Sequence, residues 1–114
     1  MTDSQQPRIT PPVDIQAHRI EDGAAVLPVE GELDLASVDQ LRSALDAAMR
    51  EGTSVVRVDA TGVSFLDSSA LGVLLAAAKR LAERGGRMEL VCTSPSIRRI
   101  LEMTGISRTV HLVP

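Results

Sequence analysis

Asp67-Ser68-Ser69-Ala70-Leu71-Gly72-Val73-Leu74-Leu75 is the stretch that decides the fold. Asp and Ser favour the first, half-helical position of a helix. Behind them Leu71, Leu74, Leu75, Ala78 and Leu81 or Ala82 recur at helical spacing. This predicts an amphipathic helix with Ser68 in a capping position, stopped at Gly85-Gly86. Upstream, Ser54 to Asp59 carries Val55, Val56 and Val58, a short β-branched strand expected to be buried on both faces. Ala60 to Leu66 reads as the loop between the two. Strand, loop and amphipathic helix are the repeating unit of a parallel α/β sheet.

The same unit extends in both directions. Arg87 to Val91 is a strand, and Ser94 then caps a helix with Pro95 at the favoured first position. Ile97, Ile100 and Leu101 supply its apolar face, Gly105 closes it, and Val110 to Val113 is a last strand. Toward the N-terminus, Ser37 and Gln40 have capping-box spacing. Val38, Leu41, Leu45, Ala48 and Met49 follow on one helical face, and Gly52 stands where a left-handed C-terminal cap belongs. Before that helix, Val13, Ile15 and Ala17 alternate with polar residues, Asp22-Gly23 is a strong hairpin dipeptide, and Ala25 to Leu33 is a second strand. Pro28 donates no hydrogen bond, so it requires an edge or a bulge. The prediction is an α/β domain over residues 13–114: a mixed, mostly parallel sheet of about five strands with three amphipathic helices. Residues 1–12 are expected to be a flexible lead-in.

Composition narrows the function. The chain has 114 residues, one domain's worth, and 44 % are hydrophobic. Phe65 is the only aromatic residue, so the core must be aliphatic. A net charge of −3 and the lack of an aromatic platform argue against direct DNA or RNA binding. Cys92 is the only cysteine, which excludes an internal disulfide and a cysteine zinc site and suits a reducing compartment. The polar N-terminus lacks a signal-peptide pattern, and no apolar run approaches membrane-spanning length. The expected location is cytoplasmic, with no membrane contact.

Catalytic constellations fail one after another. Gly62-Val63-Ser64-Phe65-Leu66 lacks the second glycine of a hydrolase elbow. His18 and His111 lie on strands without an evident acidic partner, so no serine triad forms. There is no phosphate-cradling loop, and the carboxylates lack metal spacing. No enzyme, cofactor or metal is expected. Cys92 reads as a small buried apolar residue. What remains is Asp67-Ser68-Ser69. A helix start can accept a phosphate on its free N–H groups. A phosphoserine adds roughly −1.5 to −2 charges at neutral pH. In parallel β–α units the strand-to-helix loops gather at one sheet edge, so Asp34 and Ser68 should share one end of the molecule.

Gly31-Glu32-Leu33-Asp34, Val58-Asp59 and Val63-Ser64-Phe65-Leu66-Asp67-Ser68-Ser69-Ala70-Leu71-Gly72-Val73-Leu74 together resemble the STAS domain. The match is nearest to its stand-alone members, the anti-sigma-factor antagonists, and runs from about Val13 to Pro114. The resemblance implies partner switching. The unmodified antagonist binds an anti-sigma factor, itself a GHKL-type serine kinase, and so frees a sigma factor. The kinase phosphorylates the first Ser of the motif, here Ser68 (Ser69 being the second choice), and a PPM-type phosphatase reverses it. Asp34 matches a family acidic position beside that serine, and Gly72 a helix glycine facing the kinase. Asp34, Leu66, Asp67, Ser69 and Gly72 are the expected partner-binding residues. Phe65 is expected to plug the core, and Leu66 to supply apolar contact.

The chain departs from the family in two places. Ala70 stands where Gly is usual; its methyl should favour the helix by up to ~1 kcal/mol but crowd an approaching kinase. It also stops at Pro114, where many members continue into a further helix, which leaves part of the sheet less covered. A monomer or weak dimer is expected. The alternative reading is a non-switching STAS scaffold or an accessory subunit of a signalling complex or transporter, with Ser68 only a cap. Nucleotide binding, suggested for some STAS domains, finds no phosphate loop here.

Overall fold

The computed structural model describes residues 13–113. The expected lead-in over residues 1–12 and the terminal Pro114 lie outside them. The elements in chain order are β1 (Val13–Ile15), β2 (Arg19–Glu21), β3 (Ala24–Leu33), α1 (Val38–Met49), β4 (Val55–Leu66), α2 (Ser68–Glu83), β5 (Arg87–Val91), α3 (Pro95–Met103), a single 3₁₀ turn (Ile106–Arg108) and β6 (Val110–Val113). The strands form one sheet in the order β1-β3-β4-β5-β6, with β2 also paired to β3. β3, β4, β5 and β6 run parallel, and only the hairpin arms β1 and β2 are antiparallel. The mixed, mostly parallel α/β sheet with three helices is as predicted.

The hairpin turns at Asp22 (φ 51°) and Gly23 (φ 81°). Two successive positive φ values make the tight turn whose twist matches that of the strands. The first arm breaks where Pro28 lies. Ile15 pairs with Val29 and Arg19 with Val26, so Gln16, Ala17 and His18 stand opposite Leu27 and Pro28. One extra residue against two is a bulge, and it spares the ladder the donor that Pro28 lacks. The Pro28 carbonyl still accepts from the Gln16 N–H, at 3.1 Å. His18, in that break, meets Glu51, so it does have the acidic neighbour that its sequence context did not reveal.

The largest correction concerns β4. It is a continuous twelve-residue strand, and the predicted loop over 60–66 is its second half. Two bulges disguise it. Pro28 pairs with Asp59 and Glu30 with Gly62, leaving Ala60 and Thr61 against Val29; Gly31 pairs with Val63 and Glu32 with Phe65, leaving Ser64 unpaired. Each bulge shifts the in–out alternation by one residue. Core positions accordingly step by two through Val56, Val58 and Ala60, then by three to Val63 and Leu66.

All three helices contribute to a single buried cluster with Leu27, Val56, Val58, Met88, Leu90 and Val110. Strands added in one direction with right-handed crossovers put every helix on the same side. The opposite sheet face is mixed, with Ala24 and Val26 buried beside charged side chains. There Glu89 is buried between Arg57 and Arg87, at 2.8 Å from each. The strand at Ser54–Asp59 is thus fully buried on one face only, contrary to expectation. α2 ends as predicted at Gly85-Gly86: the Gly86 N–H reaches the Leu81 carbonyl and the Gly85 N–H that of Ala82, with Gly85 at φ 80°. This double closure satisfies carbonyls that the helix end leaves free. Ser94 caps α3 as expected, while Ile100 is partly exposed beside buried Ile97 and Leu101.

Candidate functional site at the start of the second helix

The site forms where β3 and β4 deliver their following segments to one end of the sheet. The two segments are joined directly. The Asp67 N–H donates to the Leu33 carbonyl at 3.1 Å, and the Leu35 N–H donates to Asp67 Oδ2 at 3.2 Å. The Asp34 loop and the Ser68 helix start therefore share one end of the molecule, as the parallel topology requires.

The helix cap is Asp67. Its backbone is extended (φ −108°, ψ −178°), and Oδ1 accepts from the N–H groups of Ser69 and Ala70 at 3.0 and 3.1 Å. The Ser69 hydroxyl donates to the same oxygen at 2.6 Å. The Ser69 hydroxyl and then the Ala70 N–H hold the Asp67 carboxyl below its usual range, with further help from the N–H groups of Ser69 and Leu35 and against partial desolvation. Ser68 is not the cap, which corrects the sequence reading. It is the first helical residue, its side chain is exposed, and its hydroxyl has no hydrogen-bond partner among the described residues. Asp67 takes the cap because it is the last extended residue; a serine one step later has its side chain directed outward.

Ser37 also departs from expectation. No capping box forms, and its side chain caps nothing in α1. Its buried hydroxyl instead accepts from the Asp34 N–H at 2.9 Å and lies 3.1 to 3.3 Å from the carbonyls of Glu32 and Asp34 and from Asp34 Oδ1. Asp34 Oδ1 in turn accepts from the Ala36 N–H at 3.1 Å. The loop that carries Asp34 and Leu35 is thus clamped from inside.

The apolar residues of this end are exchanged relative to expectation. Leu66 is buried, at 7 % exposed, whereas Phe65 is 48 % and Leu35 74 % exposed. The bulge at Ser64 turns Phe65 outward and Leu66 inward. No sequence signal marks Leu35 as exposed, since its outward position follows only from β3 ending at Leu33 and the chain turning there. Ala70 is 0 % exposed. Its methyl faces the core, so it does not crowd the surface around Ser68. The buried stripe of α2 runs through Ala70, Leu74, Ala77, Ala78 and Leu81, with Leu71 and Leu75 only half-buried. Gly72 is exposed, and a Cβ placed on it would meet nothing within 4 Å. The end of the molecule that carries Ser68 therefore combines exposed apolar groups, Leu35 and Phe65, with the carboxylates of Glu32, Asp34 and Asp67.

Comparison with known proteins agrees with this architecture. The family model described as the STAS domain matches residues 16–114. An anti-sigma F factor antagonist of Paenibacillus polymyxa is 30 % identical over 101 residues, 88 % of this chain and 84 % of that protein. The crystal structure of an anti-sigma factor antagonist from Mycobacterium paratuberculosis superposes with a TM-score of 0.80 at 28 % identity, covering 90 % of this chain and 86 % of the other. SpoIIAA, a Bacillus cell fate determinant solved in its phosphorylated form, gives a TM-score of 0.67 at 25 % identity over 89 % of this chain and 92 % of its own.

Proposed function

The chain belongs to the STAS domain family, and from that premise we propose that it is an anti-sigma-factor antagonist switched by phosphorylation at Ser68. In this reading the unmodified protein binds an anti-sigma factor that is itself a GHKL-type serine kinase, and a sigma factor is released. Transfer of a phosphoryl group to the Ser68 hydroxyl ends the complex, and a PPM-type phosphatase restores it. The observation that carries the proposal is the contrast between two adjacent serines. Ser69 is bonded into the cap, while Ser68 is exposed and unbonded among the described residues. A kinase can reach the Ser68 hydroxyl without disturbing the helix start.

The chain supplies the acceptor and the contact surface, and the chemistry belongs to the incoming kinase. Leu35 and Phe65 form the apolar centre of the binding surface, rimmed by Asp34, Asp67 and Ser69, with Gly72 one turn along the helix. A phosphate on Ser68 places roughly −2 charges next to the Asp67 carboxylate, which already occupies the Ser69 and Ala70 N–H groups. The new charge is therefore not absorbed by the helix start. It adds to an acidic end and repels a partner selected for the unmodified surface.

Phosphosite mapping after incubation with the cognate kinase and ATP tests the assignment. Ser68→Ala should abolish incorporation, whereas Ser69→Ala should retain it. Undiminished phosphorylation of the Ser68→Ala protein would overturn the proposal.

A further inference from the structure

A second surface lies further along α2, on the side that faces the turn after α3. A groove of about 350 Å³ runs between α2 and the turn after α3, lined by Leu71, Leu75 and Lys79 on one side and Ile106 and Arg108 on the other. Its floor is apolar, since Ile106 is buried and Leu71 and Leu75 are half-buried. Exposed Met103, at 78 %, is the last residue of α3, just before this turn. Lys79 and Arg108 are exposed, and neither pairs with a carboxylate among the described residues. The neighbouring groove between α1 and α2 differs in this respect. Its Arg42 and Arg80 are already held by Asp39 and Asp46, at 2.6 and 2.8 Å.

Two unpaired cations over an apolar floor select an anionic partner with apolar side chains. The surface around Ser68 has the opposite sign, with Glu32, Asp34 and Asp67, so one partner surface does not suit both. We propose that the groove between α2 and residues 104–109 is a docking site for an acidic amphipathic helix of a second protein. Apolar side chains one turn apart would seat over Leu71, Leu75 and Ile106, and flanking carboxylates would reach Lys79 and Arg108. Gly72 also lines this groove, so the contact adjoins the Ser68 surface along α2, while its apolar floor and its two cations lie outside that surface.

Amide correlation spectra of the full chain provide the test. The probe is a synthetic helical peptide with Leu at one-turn spacing flanked by Glu, beside a control in which every Glu is Lys. The Glu peptide should shift the amides of Leu71, Leu75, Lys79 and residues 104–109, and should bind about ten-fold or more tightly than the Lys control, with the difference shrinking as salt is raised. A Lys79→Glu/Arg108→Glu variant, checked for an unchanged melting temperature, should reverse the preference; Lys79→Gln should weaken it if the double variant fails to fold. Equal binding of the two peptides, no shift at millimolar peptide, or shifts centred on Leu35 and Ser68 would overturn the proposal. So would sedimentation of the chain alone if it showed self-association that Lys79→Glu/Arg108→Glu abolishes, because the groove would then serve a second copy.

Discussion

Ser68 and Ser69 are adjacent and chemically identical, yet the helix start uses only one of them. Ser69 closes the bond network on Asp67 Oδ1, and Ser68 is left outside it. Removing the acceptor of that network should matter most. Asp67→Ala is expected to cost about 0.5–2 kcal/mol, the usual range for a lost cap, and to release the Leu35 N–H as well. Urea denaturation would measure it. Ala70→Gly offers a cleaner contrast. Because Ala70 is buried inside a helix, the change should destabilise by about 1 kcal/mol while leaving kinase affinity unaltered. A gain in affinity would mean that the methyl does reach the partner. The Asp67-Ser68-Ser69 cluster was legible in the sequence. Which member caps was not, because the answer depends on where the backbone turns helical. That point is set by the Asp67 bond to Leu33, a residue far away in the chain.

At the scale of elements, β4 shows how a regular rule is broken locally. Its second half looks like a loop because its apolar residues fall three apart instead of two. The strand remains a strand because β3 pairs with it throughout, absorbing two extra residues as bulges. The bulge at Ser64 then decides which neighbour faces outward. Leu66→Ala should cost about 2–5 kcal/mol, as for other large-to-small core changes. Phe65→Ala and Leu35→Ala should change stability little but weaken binding to the anti-sigma factor; melting curves together with titration calorimetry would separate the two effects. Two glycines make a second contrast. A Cβ on Gly86 would lie 2.4 Å from the Ser54 carbonyl oxygen, so Gly86→Ala must push the backbone apart. Gly72→Ala meets no obstacle within the chain and should stabilise α2 by up to about 1 kcal/mol. Any accompanying loss of kinase binding would place Gly72 in the interface.

The whole molecule is a sheet with helices on one side and a mixed apolar and charged face on the other. On that face Glu89 is the buried charge among the described residues. Burial pushes its carboxyl upward, but the hydrogen bonds and charges of Arg57 and Arg87 outweigh this and hold it below the ordinary value of 4.5. The Asp67 carboxyl is likewise held below its ordinary 3.8. Groups depressed in the folded state stabilise it fully above their unfolded values, and that contribution disappears as pH falls through their folded values. Stability should therefore be flat above about pH 5 and decline below it. Glu89→Gln should lower the neutral-pH plateau and flatten the acid limb in thermal melts. An acid limb identical to that of the parent would remove Glu89 as its source.

Periodicity and turn chemistry by themselves determined the α/β class, the three helices, the Asp22-Gly23 hairpin, the Gly85-Gly86 stop and the Asp67-Ser68-Ser69 cluster. These are local properties, settled within a few residues by backbone preference and side-chain spacing. Only the tertiary structure decided that β4 continues through residues 60–66, that Phe65 and Leu35 face outward while Leu66 and Ala70 face inward, and that Ser37 clamps the Asp34 loop. Each of these depends on a partner strand or a neighbouring loop: the register of β4 on β3, the end of β3 at Leu33, and the bonds from Asp67 to Leu33 and Leu35. A hydrogen bond to a residue more than thirty positions away leaves no periodic trace in the chain, and it is such bonds that set Ser68 apart from Ser69.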